Sequence, residues 1–209
     1  MGVRGLDKGE RAALLLNECQ NNMINVEVAP ENPLAQLIHE RGMVEKLAAL
    51  AQACREAGVL VVHSTIAPRP DFVGTEATSL LLASLVKKKV VYEGAPGAAI
   101  HPALTPQAGD VVLNRVHGLA PFHGTELEWI LRAEKVTTVI VTGVSTNVGV
   151  PGACLEATQR AFTAVVPEDC IAGSSTEIHD FQVEHTLPLL ATVTSSEAIA
   201  EVLAARSAS

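Results

Sequence analysis

Glu18, His63, Arg115 and the turn Ser145 to Gly149 are the places where this chain could do chemistry, because each closes an apolar run of strand length. In an open parallel sheet ligands bind beyond the carboxyl ends of the strands, so these four ends would converge on one crevice. A carboxyl at the mouth of an apolar strand is partly desolvated. Its pKa is raised, and it can serve as a general acid or base near neutrality. That is one reading of Glu18; the plainer one is a surface residue that caps a helix or pairs with an arginine. Arg115 remains ionised, so it either orients a substrate carboxylate, holds Glu18 charged, or makes an ordinary salt bridge; it cannot donate a proton. Histidine is the side chain suited to proton transfer at neutral pH, so His117 could supply that proton, or it is simply a loop residue. The turn leads into a helix whose N-terminus offers directed N–H donors and a dipole favourable to an anion. Asn147 there either adds an amide to the site or caps the helix.

The elements that would hold these residues alternate between strand and helix. Apolar runs at Ala12–Leu16, Val59–Val62, Val111–Leu113, Thr138–Thr142, Ala164–Val166 and Ala191–Val193 read as about six buried strands. Between them, Met43–Ala57 places Val44, Leu47, Ala48, Leu50, Ala51 and Cys54 at helical spacing, with Gly58 as a C-terminal cap. Further helices are predicted over Ala77–Lys87, Glu126–Lys135, Val150–Ala161 and Glu177–Leu190, with a closing helix after the last strand. Pro151 is tolerated in a first helical turn, where no N–H is needed. Residues 66 to 76 and 88 to 109 are long, Gly- and Pro-containing connections. The pattern predicts an α/β, Rossmann-like three-layer sandwich around a mostly parallel sheet.

At 209 residues and 48% hydrophobic, the chain suits one domain spanning 1–209, with 1–10 expected to be a flexible leader to it. A net charge of −8 argues against a nucleic-acid partner. No run of 18 apolar residues suggests a membrane span, and Met1 to Glu10 lack the apolar stretch of a signal peptide. Cys19, Cys54, Cys154 and Cys170 are scattered, as expected of reduced, buried thiols in a cytoplasmic protein. Cys154 lies more than a turn into its helix, and Cys19 points away from Glu18 by strand alternation, so neither is placed as a nucleophile. His63, His101, His117 and His123 have no ligand-set spacing, and no metal or other cofactor is expected.

The stretch Val139–Val150, reading VIVTGVSTNVGV, resembles the TGVxTNxC segment of the isochorismatase-like (cysteine hydrolase) superfamily. Gly149 stands where most of that family has its reactive Cys. Four further segments are similar in the same order. Asn17–Asn21 resembles a strand ending in D-x-Q-N, with Glu18 at the Asp. Phe122–Leu127 resembles F-x-G-T-x-L, and Pro167–Gly173 and Ala191–Glu197 resemble the family's D-A-x-A and V-x-T-x-E endings. The resemblance implies an isochorismatase-like hydrolase fold and a site without thioester chemistry. The family's Lys is absent; Arg115 or Val116 takes its place, depending on one gap. In such a site Glu18, Arg115, His117 and Gly149 are the expected catalytic positions, and Gln20, His63, Ser145, Asn147 and Phe122 the expected substrate contacts. Relatives also imply a non-proline cis peptide at Val144–Ser145.

Three functions fit. One is a hydrolase-like enzyme with Glu18 as general acid/base, cleaving a vinyl-ether or related C–O or C–N bond of a small, anionic metabolite. The second is a catalytically silent binding or assembly protein derived from a cysteine amidohydrolase. The third is a lyase or isomerase repurposed for biosynthesis with a Glu18–His117 pair. The resemblance further implies a homodimer or larger homo-oligomer.

Overall fold

The computed structural model describes residues 2–207. Seven strands, β1 (Ala12–Asn17), β2 (Leu60–Ile66), β3 (Val111–Arg115), β4 (Thr138–Val144), β5 (Thr163–Pro167), β6 (Ile171–Ala172) and β7 (Thr192–Thr194), form one sheet. Their order is β3-β2-β1-β4-β5-β7, with β6 continuing beside the end of β4. Every strand pair is parallel. The short β6 is the strand that the sequence pattern did not separate from its neighbours.

Central β1 is buried along its whole length, as expected of a strand covered on both faces. Its side chains alternate between two cores. Ala12, Leu14 and Leu16 join Leu47, Leu50 and Ile199 beneath helices α3 (Met43–Glu56) and α8 (Ser196–Ser207). Ala13 and Leu15 join Leu131, Val150 and Ala153 beneath α5 (Leu127–Ala133) and α6 (Gly149–Gln159).

Helix bounds differ from the sequence reading where local chemistry intervenes. The fourth helix, α4, covers Leu80–Lys88 because the Ser79 hydroxyl accepts the Leu82 N–H and fixes the start. The stretch expected as one helix from Glu177 begins as α7 (Thr176–Phe181), widens into a π turn at 182–186 and closes as a 3-10 turn at 187–189. Pro188 has no N–H with which to continue an α-helical ladder. Two short helices, α1 (Asn21–Ile24) and α2 (Pro33–Glu40), fill a region given no structure from sequence. Asn32 caps α2 ahead of Pro33, a signal that was readable.

Several of residues 2–10 contact the body of the fold. Val3 and Leu6 are buried, Thr138 Oγ1 donates to the Gly5 carbonyl at 2.6 Å, and Arg206 Nη1 donates to the Glu10 carbonyl at 3.0 Å. Among the described residues no helix is long and apolar enough to cross a membrane.

Candidate active site

β1 delivers Glu18 one residue past its last hydrogen-bonded position, and there the chain takes a left-handed turn with φ +52°. Non-glycine residues pay a steric cost in that region, so the surrounding structure must hold it. The Glu18 N–H donates to the Ser64 carbonyl at 2.8 Å, and its own carbonyl accepts the Gln20 N–H at 2.8 Å. The carboxylate so placed is ion-paired with Arg115 Nη2 from the end of β3. Arg115 Nη1 donates to Ser64 Oγ at 3.1 Å, and the guanidinium is 2% exposed against 18% for the Glu18 side chain. Burial pushes the Glu18 carboxyl above its usual range, opposed by the charge and hydrogen bond of Arg115. Arg115, not Val116, therefore meets the carboxyl; Val116 is 39% exposed and uses its carbonyl to accept Thr75 Oγ1.

The turn between β4 and α6 forms the second wall of the site. The Val144–Ser145 peptide is cis, as the resemblance implied. The Ser145 carbonyl accepts the N–H groups of Val148 at 3.2 Å and Val150 at 3.0 Å, tying the turn to the first residues of α6. Gly143, at φ +89°, lies where any Cβ would run into the Asn17 carbonyl, so this close approach of β4 to β1 requires glycine.

Gly149 has no room either. A Cβ there would sit 2.6 Å from the Val144 carbonyl oxygen and 2.7 Å from Asn17 Nδ2. Asn17 is fully buried and donates from that same Nδ2 to the Val144 carbonyl at 2.5 Å. Its Oδ1 has no hydrogen-bond partner among the described residues. Asn17 was not recognised from sequence, although the register pairing it with Gly143 puts it beneath this turn.

A second unrecognised contributor is His179 of α7. Arg41 Nη2 lies 2.9 Å from His179 Nε2, and Thr146 Oγ1 lies 3.1 Å from Nδ1. Arginine can only donate, so Nε2 accepts and the proton sits on Nδ1, directed at Thr146. Burial, then the Arg41 charge, keeps this imidazole neutral by lowering its pKa. Thr146 also donates its N–H to the Ala172 carbonyl at 2.7 Å, so the turn is fixed from both sides.

Glu18, Val144 and Ser145 form the floor of a cleft of about 560 Å3, walled by α1 and α2 on one side and α4 with the segment 118–119 on the other. Met23, Leu34, Leu82, Leu85 and Leu119 line it, and Glu18, Glu31 and Lys88 are its charged residues.

Other expected contacts lie elsewhere. Gln20 Nε2 donates to the Ile66 and Ala98 carbonyls while Oε1 accepts the Ile66 N–H, so its amide stitches backbone. His63 is 1% exposed inside β2, not at its end, because the strand continues to Ile66; its Nε2 lies 3.1 Å from Asp110 Oδ2, which Arg55 also grips. Phe122 is a core ring stacked on Phe162 at 6.1 Å between centroids. His117 stays outside the lining to which its neighbours Gly118 and Leu119 belong. Asn147 Oδ1 is buried without a partner among the described residues, and its side chain does not cap α6. All four cysteines are free and buried, and burial pushes the Cys54 and Cys154 thiols up to about 12. Among the described residues no three His, Cys, Asp or Glu side chains gather where a metal could be held.

Known proteins repeat this architecture. Chains of an isochorismatase family protein from Desulfovibrio vulgaris (TM-score 0.80, 24% identity, covering 94% of this chain and all of that one) and of a cysteine hydrolase from Pseudomonas syringae (TM-score 0.83, 21% identity, 97% of each) share the fold. In sequence, the chain is 34% identical over 137 residues to a maleamate amidohydrolase of Pseudomonas putida, covering 66% of this chain and 63% of that protein. It is 27% identical over 139 residues to a ureidoacrylate amidohydrolase of Methylorubrum extorquens, covering 61% and 56%. The chain thus spans less than two thirds of the length of these curated relatives. The model of the isochorismatase domain matches residues 12–198, which include all seven strands and the site, and the chain belongs to the isochorismatase family.

Proposed function

We propose that the protein is a hydrolase that cleaves a C–N or C–O bond of a small metabolite with water, not a thiol, as the nucleophile, and with Glu18 as its acid–base group. The observation that carries this reading is the Glu18 carboxylate in the cleft lining, paired with the buried Arg115, together with a position 149 that leaves no room for a side chain. Burial raises the Glu18 pKa and the guanidinium opposes that shift, and the reaction starts from the ionised form, in which Glu18 is a base. It takes a proton from water as the new C–O bond forms at the substrate's electrophilic carbon. The excess charge falls on the substrate oxygen, facing the N-terminus of α6 and its dipole. The C–N or C–O bond then breaks, its electron pair goes to the leaving atom, and Glu18 returns the proton there. The amidohydrolases among the relatives favour the C–N case. An anionic group on the substrate would meet Lys88, since Arg115 is already engaged by Glu18 and Ser64.

We take the protein to be cytoplasmic and to self-associate, readings supported by its free thiols and by the exposed apolar side chains Leu80, Trp129 and Leu189.

The test is ammonia release from maleamate and ureidoacrylate, and pyruvate release from isochorismate, by the wild-type protein and by Glu18→Gln. Turnover by the wild type, lost about 100-fold or more in the variant with KM little changed, is the expected result. Binding of these compounds with no turnover by the wild type would instead favour a silent binding protein.

A further inference from the structure

We infer that the ligand of the cleft is predominantly apolar: an aliphatic or aromatic body lies between α1–α2 and α4 while its scissile group rests at Glu18. The inference rests on the hydrolase reading only for that last point. Three observations carry it. First, the walls above the floor are built from Met23, Leu34, Leu82, Leu85 and Leu119, whereas the charged residues facing the space are two carboxylates, Glu18 and Glu31, and one ammonium, Lys88. A compact anion would have Lys88 as its one cationic partner against two carboxylates here, a poor exchange for its hydration, whereas an apolar body needs no such partner.

Second, Val28, Leu81 and Val90 belong to this lining and are 45%, 53% and 43% exposed. Apolar side chains left uncovered around a concave site mark a surface that a ligand covers. Third, the cleft of about 560 Å3 is continuous with the Glu18 carboxylate and falls within the usual range for small molecules, which commits the occupant to a substrate rather than to a partner chain.

The test is calorimetric titration of butanamide, hexanamide and octanamide, with maleamate alongside, into the wild type, Glu18→Gln and Leu85→Asp. Each buried methylene contributes about 0.8 kcal/mol, close to a fourfold gain, so affinity should rise about fifteenfold from one amide to the next. Glu18→Gln should keep that series, and Leu85→Asp should flatten it. A flat series in the wild type, or maleamate binding tighter than octanamide, would overturn the inference; so would a cleft closed to all the amides by a second copy of the chain. Chain-length discrimination with no turnover of the amides, maleamate, ureidoacrylate or isochorismate would uphold the apolar ligand and remove the hydrolase reading. Turnover of maleamate with a flat series would do the reverse.

Discussion

Asn17 Nδ2 occupies the space into which a side chain at position 149 would project: a Cβ on Gly149 would lie 2.7 Å from it, while the same nitrogen donates to the Val144 carbonyl. Position 149 is therefore not one at which a single substitution could install a working thiol. Gly149→Cys should cost about 1–3 kcal/mol of stability, as overpacking does, and should give no rapidly alkylated thiol. Asn17→Ala relieves one of the two close contacts but leaves the Val144 carbonyl without its donor, at roughly 1–3 kcal/mol by itself. Combined with Gly149→Ala it should cost less than the sum of the single variants, with a coupling of about 0.5 kcal/mol or more. Strict additivity in urea denaturation would show that the two residues do not share that space.

Arg115 should set the pH dependence through Glu18. Burial raises the Glu18 pKa and Arg115 lowers it, so removing the guanidinium leaves the raising influence unopposed. In Arg115→Met the acid limb of kcat/KM, which reports the base in the free enzyme, should move to higher pH. Arg115→Lys restores a positive charge and should move the limb part of the way back. A limb unchanged in both variants would exclude Glu18 as the titrating base.

How far the site was readable from sequence depended on how each residue reaches it. Glu18 and Arg115 close apolar runs on β1 and β3, on either side of β2 in a parallel sheet, and strand ends are visible as the place where such a run stops. His63 failed by the same logic. β2 continues through Ser64 and Thr65 to Ile66, so His63 lies three residues, roughly 10 Å, short of the strand end and is buried within the fold. Phe122 and Gln20 were recognisable as motif residues, but a motif does not distinguish a ring that contacts substrate from one stacked on Phe162, or an amide aimed at substrate from one bonded to Ile66. Asn17 and His179 act through register and long-range packing, which leave no local periodicity. The walls α1, α2 and α4 are short helices within long connections, where capping by Asn32 and Ser79 was the available signal.

His179 should act on turnover without touching substrate. It holds Thr146 from the side opposite Ala172 and so sets the position of Ser145 and the start of α6. Asparagine can keep a donor near the place of Nδ1, whereas phenylalanine keeps bulk but no hydrogen bond. His179→Phe should lower kcat about 10- to 100-fold with little change in KM, the scale expected for a displaced catalytic group, and His179→Asn should recover much of that loss. Equal activity of both variants with the wild type would assign the histidine to packing alone.

Acid should weaken the fold through its buried histidines. Burial lowers the His63 pKa despite the opposing Asp110, and burial with Arg41 lowers that of His179. Below about pH 6.5 an unfolded histidine binds a proton that the folded one still refuses, so the unfolded state holds more protons and stability falls as pH decreases. Each group contributes at most about 1.4 kcal/mol per pH unit, and its contribution ceases to change once the pH passes below its folded pKa. Asp110 adds a later loss: its pKa is depressed by the hydrogen bonds from Arg55, Gln107 and His63, which outweigh its burial, and its stabilisation is present above its unfolded pKa near 3.9 and lost as pH falls through the folded value. In Glu18→Gln, which removes the largely buried carboxyl whose raised pKa would act in the opposite direction, urea midpoints should therefore decline from pH 7 to pH 5, and adding His63→Gln should reduce the slope over that interval. A midpoint constant down to pH 5 would mean that both imidazoles take up protons in the folded protein as readily as in the unfolded chain.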